Sequence, residues 1–164
     1  MNLSAGTLST IAAFLSGIGL PVEVGEIAQP TFLPGILVES GILRVDPARL
    51  SWPGDLLHEA GHLALLTEEE RKQVAGDVGD DGGDELGAIA WSYAAALHLQ
   101  LDPSVVFHQH GYRGGSQSIL QNFAAGRYIG LPMLQWRGLT LDEKNARALG
   151  LKPYPHMVRW LRAE

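Results

Sequence analysis

The residues able to do chemistry in this chain are concentrated in the stretch DLLHEAGHLALL, residues 55–66, where His58, Glu59 and His62 sit among leucines and alanines. A buried polar group without a partner costs roughly 2–7 kcal/mol, so three of them in one apolar segment call for a shared partner. Residues four apart lie on one face of a helix. His58 and His62 can therefore reach the same metal ion while Glu59 stands beside it, the H-E-x-x-H arrangement in which a glutamate serves as general base next to zinc. With 6 His among 164 residues, chance supplies only about 0.01 such matches in a chain of this make-up. Two core histidines satisfied by backbone groups would explain the segment less well, because the helix is apolar around nearly its full circumference and would bury three costly groups together.

A reactive zinc site needs a third protein ligand and an open position. The chain has no cysteine, so nitrogen and oxygen donors must supply it. A metzincin pattern would place Gly and His where the chain has Leu65 and Glu68, and the inverted H-x-x-E-H order is absent. Glu85 fits better: it opens a second helix, 23 positions after His62. Its helical face continues through Ile89, Ser92, Ala96 and Leu99, an inward-facing stripe whose small residues let two helices approach closely. Asp84, Asp81, His98, His108 and His110 are the other competent donors. The acidic run from Asp77 is no EF-hand, since Gly79 and Ala88 occupy its third and twelfth positions.

The elements that must position these residues follow from pattern. TIAAFLSGIGL is expected to form a first helix, PVEVGEIA a strand, and GILVESGILRVDP a hairpin turning at ESG. Ser51 is the expected N-cap of the His58 helix, with Pro53 in its first turn and Asp55 beside the positive end of its dipole. ELGAIAWSYAAALHLQ forms the second helix, stopped by Asp102 and Pro103. FHQHGYRGGS reads as a loop, SQSILQNFAAG as a helix and LPMLQWRGL as an extended segment. TLDEKNARALG reads as a helix capped from Thr140 to Glu143 and ended by Gly150, and PYPHMVRWLRAE as a closing helix begun at Pro155. The class is α+β: one mostly helical domain over residues 1–164, with a small antiparallel sheet packed on the H-E-x-x-H helix.

Composition narrows the partners. At 46% hydrophobic, the chain can bury a core without staples. A net charge of -6 and no basic stripe speak against nucleic acid. The first Lys or Arg is Arg44 and the early apolar run is broken by Ser16, Gly17 and Gly19, which argues against a secretory signal or a membrane span and for a cytoplasmic protein. With only 18% charged residues, there is room for a homodimer surface.

LLHEAGHLALL, the acidic loop, and DELGAIAWSYAAALHLQLDP together resemble the ImmA/IrrE-type minimal metallopeptidases. The resemblance covers residues 36 to 103, including the strand GILRVD before the His58 helix; residues 104 to 164 lie outside it. It implies a zinc-dependent (Zn2+) hydrolase with His58, His62 and Glu85 as metal ligands and Glu59 as general base, cleaving a peptide or protein substrate. Donors for the developing oxyanion would come from Tyr93, His108, His110, Tyr112 or Tyr128, with GILRVD as an edge on which the substrate pairs. The other class is a non-catalytic sensor or protein-interaction module in which the metal fastens two helices.

Overall fold

The computed structural model describes residues 3–75 and 82–164, so most of the expected acidic loop, with Asp77, Asp80 and Asp81, lies outside the described residues. The hairpin forms where alternation and the turn signal place it: β2 (Ile36–Glu39) and β3 (Ile42–Val45) pair antiparallel, Ile36 opposite Val45 and Glu39 opposite Ile42. Ser40 and Gly41 join them with φ of 52° and 78°, the positive values that match a two-residue turn to the strand twist. A third strand, β1 (Val22–Val24), runs parallel to β3 on its other side, which makes the sheet mixed, in the order β1-β3-β2, rather than wholly antiparallel. Buried Asp46, just after β3, holds the crossing chain by accepting from the Ile27 and Ala48 amides at 3.1 and 3.0 Å. GILRVD is consequently the central strand and not an edge; β2 takes the outer position. A hairpin signature reports one neighbour of a strand and says nothing of a second one arriving by crossover.

Helix α2 (Asp55–Ala64) carries the histidines and packs Leu56, Leu57, Ala60, Leu63 and Ala64 fully into the core. Its N-cap is Gly54, with no side-chain cap, and Ser51 stays exposed upstream. The reason is crowding: a Cβ at Gly54 would overlap the Val105 carbonyl, so packing takes the position that Ser51 would have used. At the other end, Arg137 and Arg162 donate to the Leu65 carbonyl at 2.6 and 3.4 Å, and the Arg162 amide to Ala64 at 3.0 Å. They satisfy the free carbonyls and place positive charge at the negative end of the dipole.

Helix α4 (Gly82–His98) is buried from Gly87 to Ala96 and lies across α2. The two backbones meet at Gly61, where a Cβ would stand 2.9 Å from the Ala88 oxygen and 3.1 Å from its Cα. Helix α1 (Leu3–Ile18) closes the core with Ile11 and Leu15. A short α3 (Glu68–Gln73) follows α2 behind a capping box of Thr67 and Glu70.

The last third holds α5 (Ser116–Ala124), as expected, and α6 (Leu131–Trp136), where an extended segment was expected. Pro132 falls in the first turn of α6, where a missing N–H costs nothing, after Gly130 at φ 88°. Helix α7 (Glu143–Leu149) is capped by Asp142, not Thr140, and ends at left-handed Gly150. Thr140 is instead buried, donating to the His156 carbonyl at 2.7 Å. Residues 154–164 form no helix. Tyr154 donates to the Ala90 carbonyl at 2.7 Å, the Trp160 carbonyl accepts from Trp91 Nε1 at 2.9 Å, and Val158 N–H bonds to Leu139 at 2.9 Å. These groups are spent on neighbours rather than on a helical ladder, so the segment is a strap across α4. Among the described residues no helix is long and apolar enough to cross a membrane.

The contact at Gly61 decides the sign of a substitution there. Local propensity favours alanine in a helix by roughly 0.5–1 kcal/mol. The Ala88 backbone cannot swing aside, and overpacking costs about 1–3 kcal/mol. Gly61→Ala is therefore expected to lower stability in chemical denaturation, and Gly61→Val to lower it further, while Gly17→Ala, with nothing near its Cβ, leaves it unchanged or raised.

Candidate metal centre

One turn of α2 separates His58 from His62, and both turn Nε2 toward the start of α4. The two Nε2 atoms are 3.2 Å apart; His58 Nε2 is 3.3 Å from Glu85 Oε1 and His62 Nε2 is 2.9 Å from Glu85 Oε2. A tetrahedral ion with bonds of about 2.0–2.1 Å needs ligand atoms about 3.3 Å apart. The three observed separations are close to that edge, so the donor set fits a divalent ion that accepts two imidazole nitrogens and a carboxylate. Among the described residues these three form the group able to hold a metal.

The other candidates for the third ligand are occupied elsewhere. Asp84 pairs with Arg137 at 3.1 Å, and exposed His98 packs against Phe14 and Trp160. His108 is bonded to Asp55, and His110 stacks on Trp52 at 5.0 Å. Asp81 lies outside the described residues.

A second layer orients the first. Tyr112 Oη lies 2.9 Å from His58 Nδ1, and the buried Ser92 hydroxyl donates to the Ile89 carbonyl at 3.0 Å. With a metal on His58 Nε2, the imidazole proton would sit on Nδ1. Nδ1–H then donates to the Tyr112 oxygen. Burial, followed by the nearby Glu85, Asp55 and Glu59 charges, pushes the phenol well above its ordinary range, so it stays neutral and able to donate. Tyr112 and Arg113 hold φ of 56° and 52°, a left-handed conformation costing roughly 1–2 kcal/mol per residue. Such strain persists where surrounding bonds over-determine it.

The charges of the site follow from this packing. Hydrogen bonds from His58 and His62 hold the Glu85 carboxyl far below the usual carboxylate range. Burial alone would lower His62, but the Glu85 bond and the charges of Glu59, Glu85 and Asp84 outweigh it and raise the imidazole above its ordinary 6.5. Burial also raises Asp55, against the opposing bond to His108.

The ligand cluster opens into a cleft of about 810 Å³, lined also by Glu59, Trp52, His110 and Arg113. Of the residues considered as oxyanion donors, His110 and Tyr112 line this cleft. His108 lines it, but its Nε2 is 2.8 Å from Asp55 and its Nδ1 is buried without a partner, which leaves no nitrogen for a ligand. Tyr93 packs on Phe107 and Phe123, and Tyr128 on Phe123 and Tyr154, away from the cleft. Sequence reasoning missed the role of Trp52, which stacks on His108 and His110, and it read Asp55 only as a dipole partner. Asp55 stands three residues before His58 and thus on the same helical face, a signal that was available. No protein-family model matches the chain, and neither curated proteins nor solved structures give a match.

Two outcomes are expected. Without metal, the raised His62 stabilises the fold fully below its ordinary value of 6.5 and loses that contribution as pH rises through its folded value. The depressed Glu85 contributes above 4.5 and loses it as pH falls. Metal needs His62 unprotonated, so the melting-temperature gap between zinc-loaded and chelator-treated protein should widen from pH about 5.5 to about 7.5; a gap that narrows would contradict the site. Tyr112→Phe, which removes the acceptor for His58 Nδ1–H, should weaken zinc binding by about 10–100-fold in competition titrations.

Proposed function

We propose that this chain is a zinc-dependent metallopeptidase of the ImmA/IrrE type, with His58, His62 and Glu85 holding the metal and Glu59 as general base. The observation that carries the reading is the convergence of three ligand atoms at tetrahedral spacing with Glu59 on the same helix and lining the same cleft. Held by His58, His62 and Glu85, zinc would supply Lewis acidity toward a water and a substrate carbonyl. Glu59 takes the proton from the attacking water and returns it to the leaving amine as the C–N bond breaks, so water is added across the peptide bond. His110, Tyr112 and Arg113 are the donors available to the oxygen that gains charge.

A peptide is favoured as substrate by the outer edge of β2. The Asp46 amide bonds to Gly35 at 2.9 Å and the Ser40 amide to Val74 at 2.6 Å. That alternation turns the main-chain groups of Ile36 and Val38 outward. The Leu33 carbonyl takes the Ile36 amide at 3.2 Å, and isolated bridges set Leu33 against Ile36 and Ala75 against Glu39, so the open stretch of this edge is short and centres on the Val38 amide. An extended chain can pair there, on β2 rather than on the central GILRVD.

Purified protein should contain about one zinc per chain and cleave an unfolded casein substrate. Glu59→Gln should lower the rate by roughly 10²–10⁴-fold with metal content retained, and Glu85→Ala should lose most of the metal. Retained hydrolysis in Glu59→Gln, or no hydrolysis by zinc-loaded wild type, would turn the reading toward a metal-fastened interaction module.

A further inference from the structure

A second, smaller cavity opens beside the first. It measures about 140 Å³ and lies along the outer edge of β2, walled by Pro30, Leu33, Ile36 and Val38, with Phe32 at its rim and Glu59 facing it. Phe32, Leu33 and Glu59 also line the larger cleft, so the two spaces meet at the proposed general base. The one hydroxyl on the wall, Thr31 Oγ1, is spent on the Leu33 carbonyl at 2.6 Å. Apart from Glu59, the lining side chains offer nothing to a polar group. Phe32 is 83% exposed, a large ring without cover at the junction of the two spaces.

We propose that this cavity receives an apolar side chain of the substrate, of leucine, methionine or phenylalanine size, at a residue flanking the scissile bond, and thereby sets cleavage specificity. The proposal rests on the peptidase reading above. Size argues for it, since an apolar cavity of about 150 Å³ accommodates a benzene ring. Position argues for it too: the cavity adjoins Glu59 and the β2 edge, and a chain extended along the Val38 amide directs alternate side chains to one side. Chemistry excludes the alternatives. An acidic side chain would meet the Glu59 carboxylate and be desolvated without a partner, while glycine or alanine would leave the space unfilled. Phe32 closes over the bound side chain and loses its own exposure.

The test has two arms. A degenerate peptide library is digested by zinc-loaded wild type, Leu33→Trp and Thr31→Phe, each with its metal content measured, and the cut sites are read by mass spectrometry. Separately, N-acetylleucine amide and N-acetylglycine amide are titrated into each protein and followed by amide chemical shifts. Wild type should cut with about 100-fold preference for Leu, Met or Phe over Gly and Asp at one flanking position. Both filled variants should keep their metal and lose that preference. The leucine amide, and not the glycine amide, should shift Leu33, Ile36 and Leu37. Selective shifts without any cleavage would end the peptidase reading and leave the cavity as an apolar side-chain site. Cleavage with no apolar preference, a preference that survives filling, or a leucine amide that shifts nothing at the cavity would overturn the proposal.

Discussion

The site depends on one close contact, the backbone of α4 resting on Gly61 at Ala88. Only a residue without a side chain permits that approach, and only that approach brings Glu85 within about one tetrahedral edge of both imidazoles. Gly61 therefore belongs to the ligand geometry as much as the histidines on either side of it do. A glycine inside a helix is locally unfavourable, and the interlock of α2 with α4 offsets that local cost through the buried residues Ala60, Leu63, Ala88 and Trp91.

Around this contact each charged or polar group has an assigned direction. Asp84 is turned to Arg137, Asp55 to His108, and His58 Nδ1 to Tyr112, so the acid left facing the imidazoles is Glu85. Trp52 lies flat on His108 at 4.4 Å and 15°, which fixes that ring while Asp55 fixes its nitrogen. The effect is orientation without a rigid loop: side chains from α2, α4 and residues 108–113 hold one another, and the strained Tyr112–Arg113 backbone stays where these bonds require it.

What could be read from the sequence divides along the range of the interactions involved. His58, Glu59, His62 and Glu85 were legible because their signal is periodicity, carried by helices that form where apolar pattern and spacing put them. The hairpin at Ser40–Gly41 was legible for the same local reason. Errors arose wherever a distant residue took over a local role. Ser51 is displaced as a cap because Val105 crowds Gly54; Thr140 gives its hydroxyl to His156; β1 claims the far side of β3. Residues 154–161 show the clearest case. Tyr154, Met157 and Leu161 have helical spacing, yet Tyr154 bonds to Ala90 of α4, Met157 bridges Thr140 and the Val158 amide bonds to Leu139, which no helix would allow together. Likewise His108 carried the chemistry of a donor in its type, and only its pairing with Asp55 and its closed Nδ1 removed it from the role.

The two arginines on the Leu65 carbonyl have a consequence for the order in which the molecule is completed. They come from 72 and 97 residues further along the chain. Such long closures are reached late in folding, after local helices have formed. During vectorial synthesis His58, His62 and Glu85 are made well before the far end of α2 is capped. The helix bearing both histidines thus passes through a stage in which its last turn is frayed and its negative pole bare. Completion of this helix waits on the arrival of Arg137 and Arg162 rather than on the emergence of His58, His62 and Glu85.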